Sequence, residues 1–206
     1  MTLPVPVTFD PTRHAYTVSG VSAPSVTEVL SALGIMSLDP NIPTARLEYA
    51  RQRGAAAHLA IQFACEGRLD PQSLAEEVEP FLFAFEVFCA EHMGDFKPLV
   101  VEQPMGDPML RLAGTPDVIG EKRGTLGVLD VKTGADMPDG TKVQTALYKV
   151  IAKANGFAVI ERMGLHLKPD GTFTLYPYRD PMDEAEGRAA CLIYHRRYER
   201  KKGRLQ

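Results

Sequence analysis

The sequence predicts an α/β fold in which a central mixed β-sheet, largely antiparallel at its middle, is flanked by helices. Three observations carry this expectation. After an opening hairpin pattern the first half of the chain has helical periodicity; the middle turns abruptly into three strand-like runs; then a helical pattern, two further strand-like runs and a last helix follow. No internal repeat, low-complexity tract or linker divides the 206 residues. One domain over residues 1–206 is therefore expected, with a hairpin and helices in 1–95, a central sheet and helix in 96–156, and a hairpin and basic helix in 157–206.

Residues 7–18, VTFDPTRHAYTV, alternate around a turn-forming DPTR and read as a hairpin. Ser25 is placed as an N-cap with Glu28 three residues on, opening a short helix that runs to Gly34. Residues 40–43, bounded by prolines, break the chain, and a helical pattern then extends from Thr44 to Gly67. Asp70 and Pro71 suit the N-cap and first position of a further helical region that reaches about Met93, interrupted near Pro80. The three strand-like runs are 98–105, 109–119 and 125–133, separated by the turn at 106–108 and by EKRG at 121–124. Residues 141–156 read as a helix closed by Gly156, with Val143, Leu147, Val150 and Ile151 on its apolar stripe. Runs at 158–169 and 172–178 flank the Asp170-Gly171 turn, and the last helix begins near Pro181.

With 45% hydrophobic and 24% charged residues the composition is that of an ordinary globular chain and excludes wholesale disorder. Cys65, Cys89 and Cys191 are odd in number and widely spaced in apolar helical stretches, so they read as reduced core thiols, neither a disulfide framework nor a metal cluster. The start has no leader-like pattern and no stretch approaches the roughly 20 apolar residues of a membrane span, so a cytoplasmic location without membrane contact is expected. Net charge is -3, yet residues 195–204 hold six of the 23 Lys and Arg while residues 70–91 are acidic. A basic face toward a polyanion is compatible with that distribution, as is a solvated helix end.

Side chains alternate along a strand, so Asp130 and Lys132 point one way and Val131 points the other, into the core. Asp117, thirteen positions upstream, reaches the same patch if the two strands pair through EKRG. Two carboxylates beside an ammonium suit a hard cation such as Mg²⁺, which prefers carboxylate oxygen and keeps exchangeable waters. On their own, Asp130 and Lys132 read first as a same-face surface ion pair.

These residues belong to a longer ordered set: RGAAAH with His58, Glu102 in a strand, GTPDVIG with Asp117, LDVKTG with Asp130 and Lys132, and QTALY with Gln144 and Tyr148. In that set, over about residues 25–150, the chain resembles the PD-(D/E)XK nuclease superfamily in its RecB-like and phage-type exonuclease branch. The resemblance implies a restriction-endonuclease-like core and a Mg²⁺- or Mn²⁺-dependent deoxyribonuclease. It implies that Asp117, Asp130, His58 and the Val131 carbonyl bind the metal and that Lys132 is the catalytic lysine. Glu102 would bind a second metal, hold Lys132 or water in place, or merely pair with a surface cation. Gln144 and Tyr148 would border the site and contact DNA, with Arg51, Arg53 and Thr133 as further DNA contacts and Lys142 and Lys149 as phosphate-binding candidates.

An exonuclease acting in DNA recombination, repair or phage DNA processing is the expected activity, in a bacterial or phage-infected cell. The alternatives are a structure-specific or nicking endonuclease and a non-catalytic DNA-binding module. DNA is the expected partner, with a recombination or single-strand-annealing protein beside it and oligomerisation open. Three cysteines cannot supply a four-cysteine iron–sulfur cluster, and without a G-x-x-x-x-G-K-[ST] motif no nucleotide cofactor is expected.

Overall fold

The computed structural model describes residues 5–37, 41–92 and 96–201. Pro40, Met93 and residues 202–204 of the basic cluster lie outside them. A three-stranded antiparallel sheet opens the fold: β1 (Val7–Asp10), β2 (Ala15–Val18) and β3 (Val21–Ala23). The hairpin expected from sequence thus gains a third strand. Helix α1 (Val26–Ala32) starts where the Ser25 hydroxyl accepts the Glu28 N–H at 3.0 Å. The Glu28 carboxylate accepts the Tyr194 hydroxyl, tying α1 to the last helix.

Helix α2 (Thr44–Cys65) follows, as its periodicity predicted. The next helical region does not start at Asp70 as a continuous helix. Residues Pro71–Ser73 form a single 3-10 turn capped by Asp70, and α3 (Glu79–His92) begins later. The interruption precedes Pro80, which sits in the first turn of α3 where its missing N–H leaves no hydrogen bond unmade.

The three middle runs become five strands: β4 (Phe96–Val101), β5 (Met105–Asp107), β6 (Leu112–Gly114), β7 (Val118–Lys122) and β8 (Thr125–Lys132). Pro104 and Pro116 have no N–H to give a ladder, so they cut the first two runs. The pieces between them pair as a separate β5–β6 ribbon. Helix α4 (Thr141–Ala154), strands β9 (Glu161–Leu167) and β10 (Phe173–Pro177) and helix α5 (Met182–Lys201) complete the chain.

The main sheet has the order β10-β9-β8-β7-β4. Only β8 and β9 are parallel, and α4 is the crossover between them, as a parallel pair requires. The sheet is mixed and helix-flanked, the expected class. Its pleat sorts the core: Val118, Leu129, Val131 and Leu165 pack with Phe81 and Phe88 of α3 on one face. Ile119 and Val128 pack with Leu147 and Ile151 of α4 on the other. Alternation then directs Asp130 and Lys132 to the α4 face, opposite Val131, as read from the sequence. Cys191 is buried and Cys65 and Cys89 are half-buried, all free thiols. Among the described residues no helix is long and apolar enough to cross a membrane.

Candidate active site

Four elements meet at the end of the sheet where β8 finishes. The register Val118↔Leu129 carries Asp117, one step before β7, opposite Asp130. The Asp117 side chain accepts the Val131 N–H through Oδ2 at 2.5 Å, so its direction is set by the backbone of the strand that carries Asp130 and Lys132. Glu102, just past the end of β4, has φ +47, a left-handed conformation that ordinary residues avoid. Its N–H donates to the Asp117 carbonyl at 3.0 Å, and this kink ends β4 and brings Glu102 to the site.

His58 reaches the same point from α2. Its Nδ1 lies 2.9 Å from Glu102 Oε1 and 3.5 Å from Asp117 Oδ1. His58, Glu102 and Asp117 each offer a ligand atom, all within 4.8 Å of one another. Gly54, four residues before His58, lets α2 come close: a Cβ there would lie 3.1 Å from the Thr133 hydroxyl.

Asp130 is adjacent but differently engaged. Its carboxylate has no exposure, and Oδ2 meets Lys132 Nζ at 2.5 Å. Oδ1 has no hydrogen-bond partner among the described residues. Burial pushes the Asp130 carboxyl up to about 6 although Lys132 pulls it down. Burial works against the Lys132 charge too, but the Asp130 and Asp117 carboxylates outweigh it and raise the ammonium pKa. Asp117 shows the reverse balance: burial would raise its pKa, and the His58 charge with Lys132 and the Val131 N–H lowers it. For Glu102 burial prevails and the pKa rises despite His58. Burial would depress the His58 pKa, but Asp117 and Glu102 lift it to about 10. An imidazole, two carboxylates and the orphaned buried oxygen of a third form an oxygen-rich donor set that fits a hard divalent cation.

The other expected residues divide. Gln144 and Tyr148 share one face of α4, as their spacing predicted, and both are buried; Gln144 Nε2 donates to the Tyr148 hydroxyl at 3.1 Å. Burial, and then the Asp130 and Asp117 charges, hold the Tyr148 pKa well above its usual value. Arg53 turns partly inward: Nη2 donates to the Thr133 carbonyl at 3.2 Å and the guanidinium lies 5.0 Å over the Phe81 ring. Thr133 is buried and Arg51 is exposed. Lys142 is bound to Asp139, and Lys149 lines a cavity of about 580 Å³ with Lys122 and Tyr178.

Two neighbours of the site carried no sequence signal strong enough to find them. His166, opposite Lys132 in the parallel register, has Nε2 2.9 Å from the Gly134 carbonyl at the strand exit. Tyr16 of β2 has its hydroxyl 2.9 Å from that of Thr115, two residues before Asp117.

The model of the PD-(D/E)XK nuclease superfamily matches residues 44–192. A crystal structure from Eubacterium rectale, an exonuclease by provisional assignment, is 13% identical with a TM-score of 0.48, over 75% of this chain and 69% of its own. The alkaline exonuclease of Laribacter hongkongensis is 12% identical with a TM-score of 0.41, over 88% of this chain and 94% of its own. No curated protein matches.

Proposed function

From the premise that the chain belongs to the PD-(D/E)XK nuclease superfamily, we propose that it is a Mg²⁺- or Mn²⁺-dependent deoxyribonuclease, an exonuclease of DNA recombination, repair or phage DNA processing. The observation that supports this most directly is the meeting of His58, Glu102 and Asp117 beside the buried Asp130–Lys132 pair. In this reading His58, Glu102, Asp117 and Asp130 hold the cation, with the Val131 carbonyl as a further ligand. A bound divalent cation supplies Lewis-acid activation of water and neutralises charge on the phosphate.

The protein's own groups divide the remaining work. Lys132 keeps its proton, because the carboxylates around it raise its pKa, so it acts as a cation that orients the attacking water and offsets developing negative charge. His58 gives up its proton when it becomes a ligand, which only neutral imidazole can be. The Val131 N–H holds one Asp117 oxygen and leaves the other facing His58, where it would be free to ligate a cation. Gln144 and Tyr148 line the α4 side of the site against Asp130. DNA is held by its backbone through Arg51, Arg53, Thr133 and the basic end of α5, which makes affinity salt-sensitive and indifferent to sequence. Described residues of all three sections, 1–95, 96–156 and 157–206, share the two cores on either face of the main sheet, which supports a single nuclease domain, and a cytoplasmic location is part of the same proposal.

End-labelled linear DNA and covalently closed circles, each with Mg²⁺, Mn²⁺ or chelator, test the reading. Metal-dependent loss of linear DNA alone supports an exonuclease. Cutting of circles would assign an endonuclease instead, and binding without cutting under any metal would leave only a DNA-binding module.

A further inference from the structure

The three-stranded N-terminal sheet lies outside residues 44–192, yet one of its side chains reaches the site. We propose that Tyr16 is a positioning residue for the metal cluster, acting through Thr115 on Asp117. This rests on the metal-site reading above.

Tyr16 is 4% exposed, and its hydroxyl and that of Thr115 stand 2.9 Å apart across 99 residues of sequence. Phe9 packs on the Tyr16 ring at 4.5 Å, so the hydroxyl is delivered from a fixed ring. Only Pro116 separates Thr115 from Asp117. A proline has a locked φ and restricts the residue before it to extended conformations, so Thr115-Pro116 behaves as a short stiff arm. Holding its outer end therefore holds Asp117. The arm's other attachments are consistent: Ala113 N–H donates to the Pro24 carbonyl at 3.0 Å, and β2 packs against β6. At the far end Asp117 accepts the Glu102 N–H and the Val131 N–H. The Glu102 charge is also felt at the Tyr16 hydroxyl, which burial already makes harder to ionise. Tyr16 thus anchors, through Thr115, the segment that delivers Asp117 to the cluster.

The test uses the full chain as wild type, Tyr16→Phe, Thr115→Val, Thr115→Ser and the double variant Tyr16→Phe/Thr115→Val. Mn²⁺ binding to metal-free protein is measured by calorimetry, and kcat and KM are measured on linear duplex DNA. Tyr16→Phe keeps the ring and removes one oxygen. We expect Tyr16→Phe and Thr115→Val each to weaken Mn²⁺ binding and lower kcat by about tenfold, the usual effect of losing a group that orients a metal ligand, with KM unchanged. The double variant should lose no more than either single, because the two hydroxyls act as one contact, and Thr115→Ser should retain wild-type behaviour. Wild-type Mn²⁺ affinity and kcat in Tyr16→Phe, or additive losses in the double variant, would overturn the proposal. If Tyr16→Phe fails to fold, Thr115→Val with wild-type metal binding overturns it equally. A wild type that neither binds Mn²⁺ nor cuts DNA would instead sink the nuclease reading, and this inference with it.

Discussion

Asp130 and Lys132 stand two residues apart on β8 and meet at 2.5 Å, the carboxylate wholly buried and the lysine side chain 20% exposed. If the proposed function holds, the pair ties stability to catalysis. Without Lys132, a carboxyl that burial already pushes up to about 6 loses its cation and shifts further toward its neutral form. Lys132→Met should therefore abolish cleavage and also destabilise the fold by about 3 kcal/mol, as expected when one member of a buried pair is removed. Asp130→Asn should abolish cleavage at a smaller cost, and the double variant should regain most of the stability and none of the activity. Urea melts beside nuclease rates check all three; a fully active Lys132→Met would remove Lys132 from the chemistry.

With His58 as a ligand, as proposed, its proton should make metal binding depend on pH. In metal-free protein the imidazole pKa is raised from 6.5 to about 10, so its contribution to stability is complete below 6.5 and is lost as pH climbs through 10. A cation must displace that proton, so apparent Mn²⁺ affinity should rise by about tenfold per pH unit from 7 to 9. With chelator present, the melting temperature should fall over the same range, and His58→Gln should flatten both trends. Titrations at fixed ionic strength would show it, and pH-independent affinity in the wild type would rule out His58 as a ligand.

Gly114, in the GTPD segment, is where the ribbon passes the α4 side of the site. A Cβ there would lie 2.7 Å from Tyr148 Cε1 and 3.3 Å from Val26. Gly114→Ala should displace the Tyr148 ring, which is held in a packed core, and cost about 1–3 kcal/mol. Because Tyr148 bonds Gln144 beside Asp130, kcat should fall as well. Thermal melts and single-turnover rates measure the two effects, and a silent Gly114→Ala would show that the ring moves freely.

Arg162 provides the opposite case, stability without chemistry. It is buried against Asp183 at 2.8 Å and also donates to the Lys142 and Asp180 carbonyls, latching the start of α5 to β9 and α4. Arg162→Met should lower stability by about 3–5 kcal/mol, since three acceptors lose their donor. At a temperature where the variant stays folded its kcat should equal that of the wild type. A selective loss of kcat would mean that the latch reaches the catalytic end of the sheet.

Local repetition made much of this protein readable from sequence alone. The period of two around Leu129 and Val131 put Asp130 and Lys132 on one face, and the period near four in α4 put Gln144 beside Tyr148. Such patterns need only neighbouring residues, which is why the α/β class and most elements were legible. The split of the middle runs was less so, because Pro104 and Pro116 were outweighed by the apolar residues around them. Only tertiary structure decided which residues meet in the candidate metal site. Glu102 enters it through a left-handed kink and a hydrogen bond to Asp117, and meets His58 across 44 residues of sequence. Tyr16 meets Thr115 across 99. Contacts of that kind follow from how sheets and helices close on one another, and no local period records them. The Asp130–Lys132 pair was present in the sequence as an alternation; its burial, and hence its chemistry, came from α4 closing over it.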